Sequence, residues 1–77
     1  MDAIEIARRF AGLGEKEQAV RAYGIAIHEG GLEPAAELEA AAYILQNGGD
    51  YKVSYTCFRN LYNQGHFQTE ILPLMTA

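Results

Sequence analysis

Apolar residues recur along this chain three and four positions apart, and the two-residue alternation of a half-buried strand appears nowhere. Ala3, Ile6, Ala7 and Phe10 share one side of a helix expected over about 2–13, with Asp2 and Glu5 at its positive end. Gly14 ends it, because a glycine accepts the left-handed conformation of a C-terminal cap. Ala19, Val20, Tyr23, Ala26 and Ile27 define a second helix over about 15–29, stopped at Gly30-Gly31. Pro34 opens a third, where its missing N–H costs nothing, and Leu38, Ala41, Ala42 and Leu45 form its stripe. The Asn47-Gly48-Gly49 turn closes that helix, with Gly49 expected at positive φ. Asp50 suits the N-cap of a fourth helix, which reaches about Asn63 and carries Ser54, Phe58 and Leu61. Gly65 follows it. Thr69 is the expected cap of a fifth segment holding Ile71, Leu72, Leu74 and Met75, interrupted by Pro73. The fold class is all-α.

The pattern repeats. GEKEQAVRAYGIA, from Gly14, returns 35 residues later as GDYKVSYTCFRNL, from Gly49, so that Ser54, Phe58 and Leu61 replace Ala19, Tyr23 and Ala26. A period of this size carrying a helix–turn–helix is the signature of stacked helical hairpins, since a link so short returns the second helix antiparallel to the first. The chain then reads as one domain: repeat one over about 2–31, repeat two over about 34–65 and a capping segment over about 68–77.

These residues resemble the tetratricopeptide repeat, whose pattern over about 34 residues is W-x2-L-G-x2-Y, then A-x3-F, then P. Ala3, Ile6, Ala7 and Phe10 stand at the W, L, G and Y positions, Ala19 and Tyr23 fill A-x3-F, and Ala26 follows as the small residue. In the second unit Leu38, Ala41, Ala42 and Leu45 match the first helix, Ser54 and Phe58 the second, and Gly49-Asp50-Tyr51 the family's turn. Ala3 is not aromatic, Gly31 replaces the first unit's proline, and Ser54 and Leu61 replace small apolar residues. The resemblance covers about 3–63 and implies a right-handed stack of two repeats plus a C-terminal capping helix. It also implies a concave face that takes a peptide or protein, formed by Ile4, Arg8, Ala11, Glu39, Tyr43, Gln46 and Asn47. Tyr43 and Arg8 are the expected anchors, because aromatic and arginine side chains dominate interface energetics. Ile4 and Arg8 replace the lysine and asparagine of the family's carboxylate-clamp form, which the chain therefore does not match.

Composition narrows the function. Among 77 residues, 49% are hydrophobic and 21% charged, an ordinary globular balance. Six basic residues are dispersed in a chain of net charge −4, which disfavours a nucleic-acid surface. No apolar run approaches the roughly 18 residues of a membrane span, and the N-terminus lacks a signal peptide's pattern. A single cysteine excludes an internal disulfide, and the expected location is cytoplasmic.

Catalytic constellations are thin. Cys57, His66 and Asp50 contain the residue types of a nucleophile, base and orienting acid, but Cys57 falls inside the fourth helix beside Phe58, as a buried small residue would. His28 and His66 have no ligand at i+3 or i+4, so no metal or cofactor is expected. The glycine pairs at 30–31 and 48–49 lack P-loop spacing. Glu15, Glu17, Glu29, Glu33, Glu37 and Glu39 read as a solvated surface. The expectation is a non-enzymatic scaffold or adaptor that binds a protein or peptide. The alternatives are an accessory helical domain of a larger enzyme such as a bacterial glycosyltransferase, or a small homo-oligomerising protein, in which Tyr55 and Tyr62 would meet further repeats or a second copy.

Overall fold

The computed structural model describes residues 1–76; the last residue of the expected capping segment, at 77, lies outside them. Five helices make up the described residues: α1 (Ala3–Gly12), α2 (Lys16–Glu29), α3 (Pro34–Gln46), α4 (Tyr51–Asn63) and α5 (Gln68–Thr76). No strand occurs among them. The molecule measures 30 × 25 × 18 Å.

Local chemistry sets the helix ends. The Asp2 Oδ1 accepts from the Glu5 N–H at 3.1 Å, and the Asp50 Oδ1 from the Lys52 N–H at 2.9 Å, so each acid satisfies one orphan donor of a first turn. Three helices stop in the same way. A glycine at positive φ (Gly14, Gly48 or Gly65) reverses the chain, and the next N–H donates to the carbonyl five residues back. Those bonds are Glu15 to Phe10 at 2.9 Å, Gly49 to Ile44 at 2.8 Å and His66 to Leu61 at 2.9 Å, the hydrogen bonding of a Schellman cap. Two expectations change here. Positive φ belongs to Gly48, not Gly49. Gly49 is needed for space instead, since a Cβ there would lie 2.6 Å from Ile44 Cγ2 and 2.8 Å from Val20 Cγ1. Thr69 does not cap α5. The helix begins one residue earlier, after Phe67, which takes φ 54° at the turn and accepts the Ile71 N–H at 2.9 Å.

Packing follows chain order: α1 on α2, α2 on α3, α3 on α4, and α5 on α4. One core cluster joins Ile4, Ala7, Ala19, Ala22, Tyr23, Ala26, Ala40 and Ile44. Its alanines bring the helix axes close, and the Tyr23 ring fills the space beside them. The second cluster joins Ala41, Cys57, Phe58, Leu61 and Ile71, and Ile27 touches both. Ser54, Phe58 and Leu61 are buried as their spacing predicts, and the Ser54 hydroxyl donates to the Ala41 carbonyl at 2.7 Å. That bond makes a polar atom tolerable in a place closed to water.

The stripe on α1 is rotated from expectation. Ile4 is buried and Ile6 is 37% exposed, while Ala3 and Phe10 are half-buried. As the first helix, α1 packs mainly on α2, so its far flank meets no neighbour. On α3 the buried residues are Ala40, Ala41 and Ile44; Leu38, Ala42 and Leu45 are half-buried against the second cluster. The terminal α5 lays Ile71 onto α4 with no exposure at all, Leu74 and Met75 half-buried, and Leu72 outward. Pro73 falls inside α5, where the Thr69 carbonyl it leaves without an N–H partner belongs to an exposed residue.

Candidate functional site

Four of the side chains on α1, α2 and α3 meet at one place. The Arg8 Nε donates to both oxygens of Glu39, at 3.2 and 3.0 Å, and its Nη2 donates to Oε1 at 2.8 Å. From beneath, the Tyr23 hydroxyl donates to Oε2 at 2.7 Å. The Tyr23 ring is buried and lies 4.9 Å, centroid to centroid, from the half-buried Tyr43 ring. Asn47 continues the edge, its Nδ2 donating to the Tyr43 carbonyl at 3.0 Å, and Gln46 beside it is exposed.

The planar guanidinium fork matches a carboxylate in two places at once, so the pair links α1 to α3 in a defined geometry. The hydrogen bond from Arg8 holds the Glu39 carboxyl below the usual carboxylate range, with the Tyr23 hydroxyl acting in the same direction and partial burial opposing both. Tyr23 is pushed well above the ordinary tyrosine value, first by burial and then by its bond to Glu39. Arg8 is raised by the same carboxylate. The site therefore holds one fixed pair of opposite charges and a neutral phenol across the ordinary pH range.

That state limits its chemistry. Both oxygens of Glu39 are engaged and its pKa moves away from neutrality, the reverse of what a general acid or base requires. Arg8, half-exposed, keeps the N–H groups that Glu39 does not use. Outward-facing donors beside an aromatic ring are suited to a carbonyl or carboxylate of a bound chain.

The seven residues expected on the concave face thus separate. Arg8, Glu39, Tyr43 and Asn47 are joined by the contacts above, with Gln46 adjacent in the chain. Ile4 is instead part of the alanine-rich core, and Ala11 is half-buried against the same cluster, because the rotation of α1 turns that flank inward. Tyr23, expected only as core, supplies the hydroxyl that anchors Glu39. Its being tyrosine where the second repeat has Phe58 was the available signal, since a buried phenol seeks an acceptor.

The other constellation does not assemble. Asp50 begins α4 and His66 follows its end, so the helix separates them by about 20 Å. Cys57 lies between, buried, its thiol pushed up to about 11 by burial first and Glu37 second, which keeps it from the thiolate form. Among the described residues no three His, Cys, Asp or Glu side chains gather closely enough to hold a metal ion. No helix among them is long and apolar enough to cross a membrane. Comparison with protein-family models, curated proteins and solved structures finds no match to this chain.

Proposed function

We propose that this chain is a non-catalytic protein-interaction module of tetratricopeptide-like build, working as a scaffold or adaptor in the cytoplasm. A peptide or protein partner would lie across α1 and α3, on Arg8, Glu39, Tyr43, Gln46 and Asn47. The observation that carries this reading is the Arg8–Glu39–Tyr23 network, which ties the first helices of the two hairpins into one surface and sets Tyr43 against it. Such a surface is fixed before binding, so few side chains lose freedom when a partner arrives. The repeat supports the build as well: Ala19, Tyr23 and Ala26 in the first hairpin and Ser54, Phe58 and Leu61, 35 residues further on, are all buried.

The test is affinity capture with the intact chain and with an Arg8→Ala, Tyr43→Ala double variant whose circular-dichroism melt still shows one cooperative transition. Partners should be retained by the first and lost by the second. Equal retention by both would remove the α1–α3 face from the function.

A further inference from the structure

A second surface stands apart from this face, on the outer side of α4. Tyr51, Lys52, Tyr55, Thr56 and Arg59 line a shallow hollow of about 290 Å³, together with Met75 from α5. Part of α4 is thus left open where α5 does not reach, and Tyr51 is 55% exposed. The rings are nonetheless set in place. Tyr51 meets Tyr55 edge-on with centroids 5.7 Å apart, and Tyr55 lies 6.3 Å from the fully buried Phe58. An aromatic array fixed to the core in this way offers contact area with little rotamer entropy to lose.

Its charge is equally specific. Lys52 and Arg59 are seven residues apart, two turns of helix, so they project from one side about 10 Å apart with Tyr55 and Thr56 between them. Neither joins an ion pair: the Arg8–Glu39 bridge is the only one among the described residues. Carboxylates are not scarce in a chain with ten acidic and six basic residues, yet among the described residues none lines this hollow. The neighbouring Asp50 has one oxygen on the Lys52 backbone N–H. Tyrosine, arginine and methionine, four of the six lining residues, are the types enriched where protein interfaces are buried.

We propose that this α4 face binds an acidic amphipathic helix of a partner protein. The helix would carry two carboxylates two turns apart, one for Lys52 and one for Arg59, with an aliphatic residue between them seated on Tyr55 and Met75. Cation, aromatic floor and cation in line along one helix are the complement of acid, aliphatic and acid along another. Two lysine or arginine side chains in a protein of net charge −4 are too few to hold a nucleic-acid backbone. This proposal is independent of the α1–α3 face and stands or falls separately from it.

The probe is a synthetic helical peptide, blocked at both ends, with two glutamates seven residues apart and leucine midway on an alanine–glutamine host. A second peptide has glutamine in place of both glutamates. Titrated into the ¹⁵N-labelled protein, the acidic peptide should shift amides of 51–59 and Met75. Binding should weaken about 2- to 30-fold with the glutamine peptide or with Lys52→Gln, Arg59→Gln, as expected when two exposed ion pairs are lost. It should persist with Arg59→Lys. The two glutamine substitutions lie on exposed positions, so the variant's spectrum away from α4 should be unchanged. No shift on α4, an equal response to both peptides, or stronger binding of a single-stranded oligonucleotide at the same amides would overturn the proposal. So would concentration-dependent shifts of the same amides in the protein alone, which would assign the face to a second copy.

Discussion

Replacing Gly49 with alanine should destabilise the protein more than replacing Gly48, although only Gly48 has a positive φ. At Gly48 the new Cβ meets nothing within 4 Å, so the cost is that of the left-handed backbone alone, about 1–2 kcal/mol. At Gly49 the Cβ would press on Ile44 Cγ2 at 2.6 Å, on Val20 Cγ1 at 2.8 Å and on the Ile44 carbonyl at 3.2 Å. Both side chains are β-branched and stiff at χ1, and Ile44 is a buried member of the core, so neither swings away freely. The same carbonyl accepts the Gly49 N–H at 2.8 Å, so backing the chain off would weaken the cap. Overpacking of this kind costs about 1–3 kcal/mol, and disruption of the cap adds to it. In a domain of this size each kcal/mol lowers Tm by about 4–8 °C. Asparagine separates the two causes, because it tolerates the left-handed conformation but has a Cβ. Gly48→Asn should come close to wild type in urea unfolding, and Gly49→Asn should resemble or exceed Gly49→Ala. A neutral Gly49→Ala, or equal effects of asparagine at both positions, would refute the steric account.

That pair of glycines also shows where sequence reasoning stops. A turn between two apolar stripes is written locally, in Asn47-Gly48-Gly49-Asp50, and so are the Pro34 start and the Asp50 cap; all three stand as their residue types predict. The emptiness that Gly49 needs is set by how Ile44 of α3 and Val20 of another helix pack over the turn, and residue types alone do not show it. The buried set of α4 was legible because α3 and α5 both pack on this helix, which makes its spacing unambiguous. On α1 two stripes were possible, one through Ile6 and one through Ile4, and either satisfies helical periodicity. The position of α2 chose between them. A phenol at the buried position 23 announces that an acceptor is needed, but nothing local names Glu39 as that acceptor or Arg8 as its partner, 16 and 31 positions away in the chain. Cross-helix pairing of this sort is a product of how the helices pack and becomes readable only once they are placed.

Phe58, fully buried at the centre of the second cluster, should cost about 3–5 kcal/mol when replaced by alanine; a variant with an unchanged melting curve would place the core elsewhere. Glu39 has a folded pKa below its unfolded value, so its contribution is present above about pH 4.3 and is lost as pH falls through the lower folded value. Urea unfolding from about pH 7 down to pH 2 should therefore show an acid limb that Glu39→Gln flattens, and an identical limb in that variant would exclude the network as its source. Removing α5 from Gln68 onward should destabilise the chain and promote aggregation. Ile71 is wholly buried against Cys57, Phe58 and Leu61, and burying one such side chain contributes about 1.5–3 kcal/mol, with Leu74 and Met75 adding part of theirs. Against this stands the chain entropy that a short helix gives up on ordering, so the net loss should be smaller than the sum of those burials. The discriminating measurement is amide exchange at Ile71, whose N–H is bonded to the Phe67 carbonyl. If α5 is a stabilising cover for α4, that amide is protected in the full chain, and the truncated chain melts lower and binds a hydrophobic dye through the uncovered Phe58 and Leu61. An Ile71 amide that exchanges as fast as an unstructured peptide, or a truncated chain of unaltered stability, would show that α4 buries its apolar face without it.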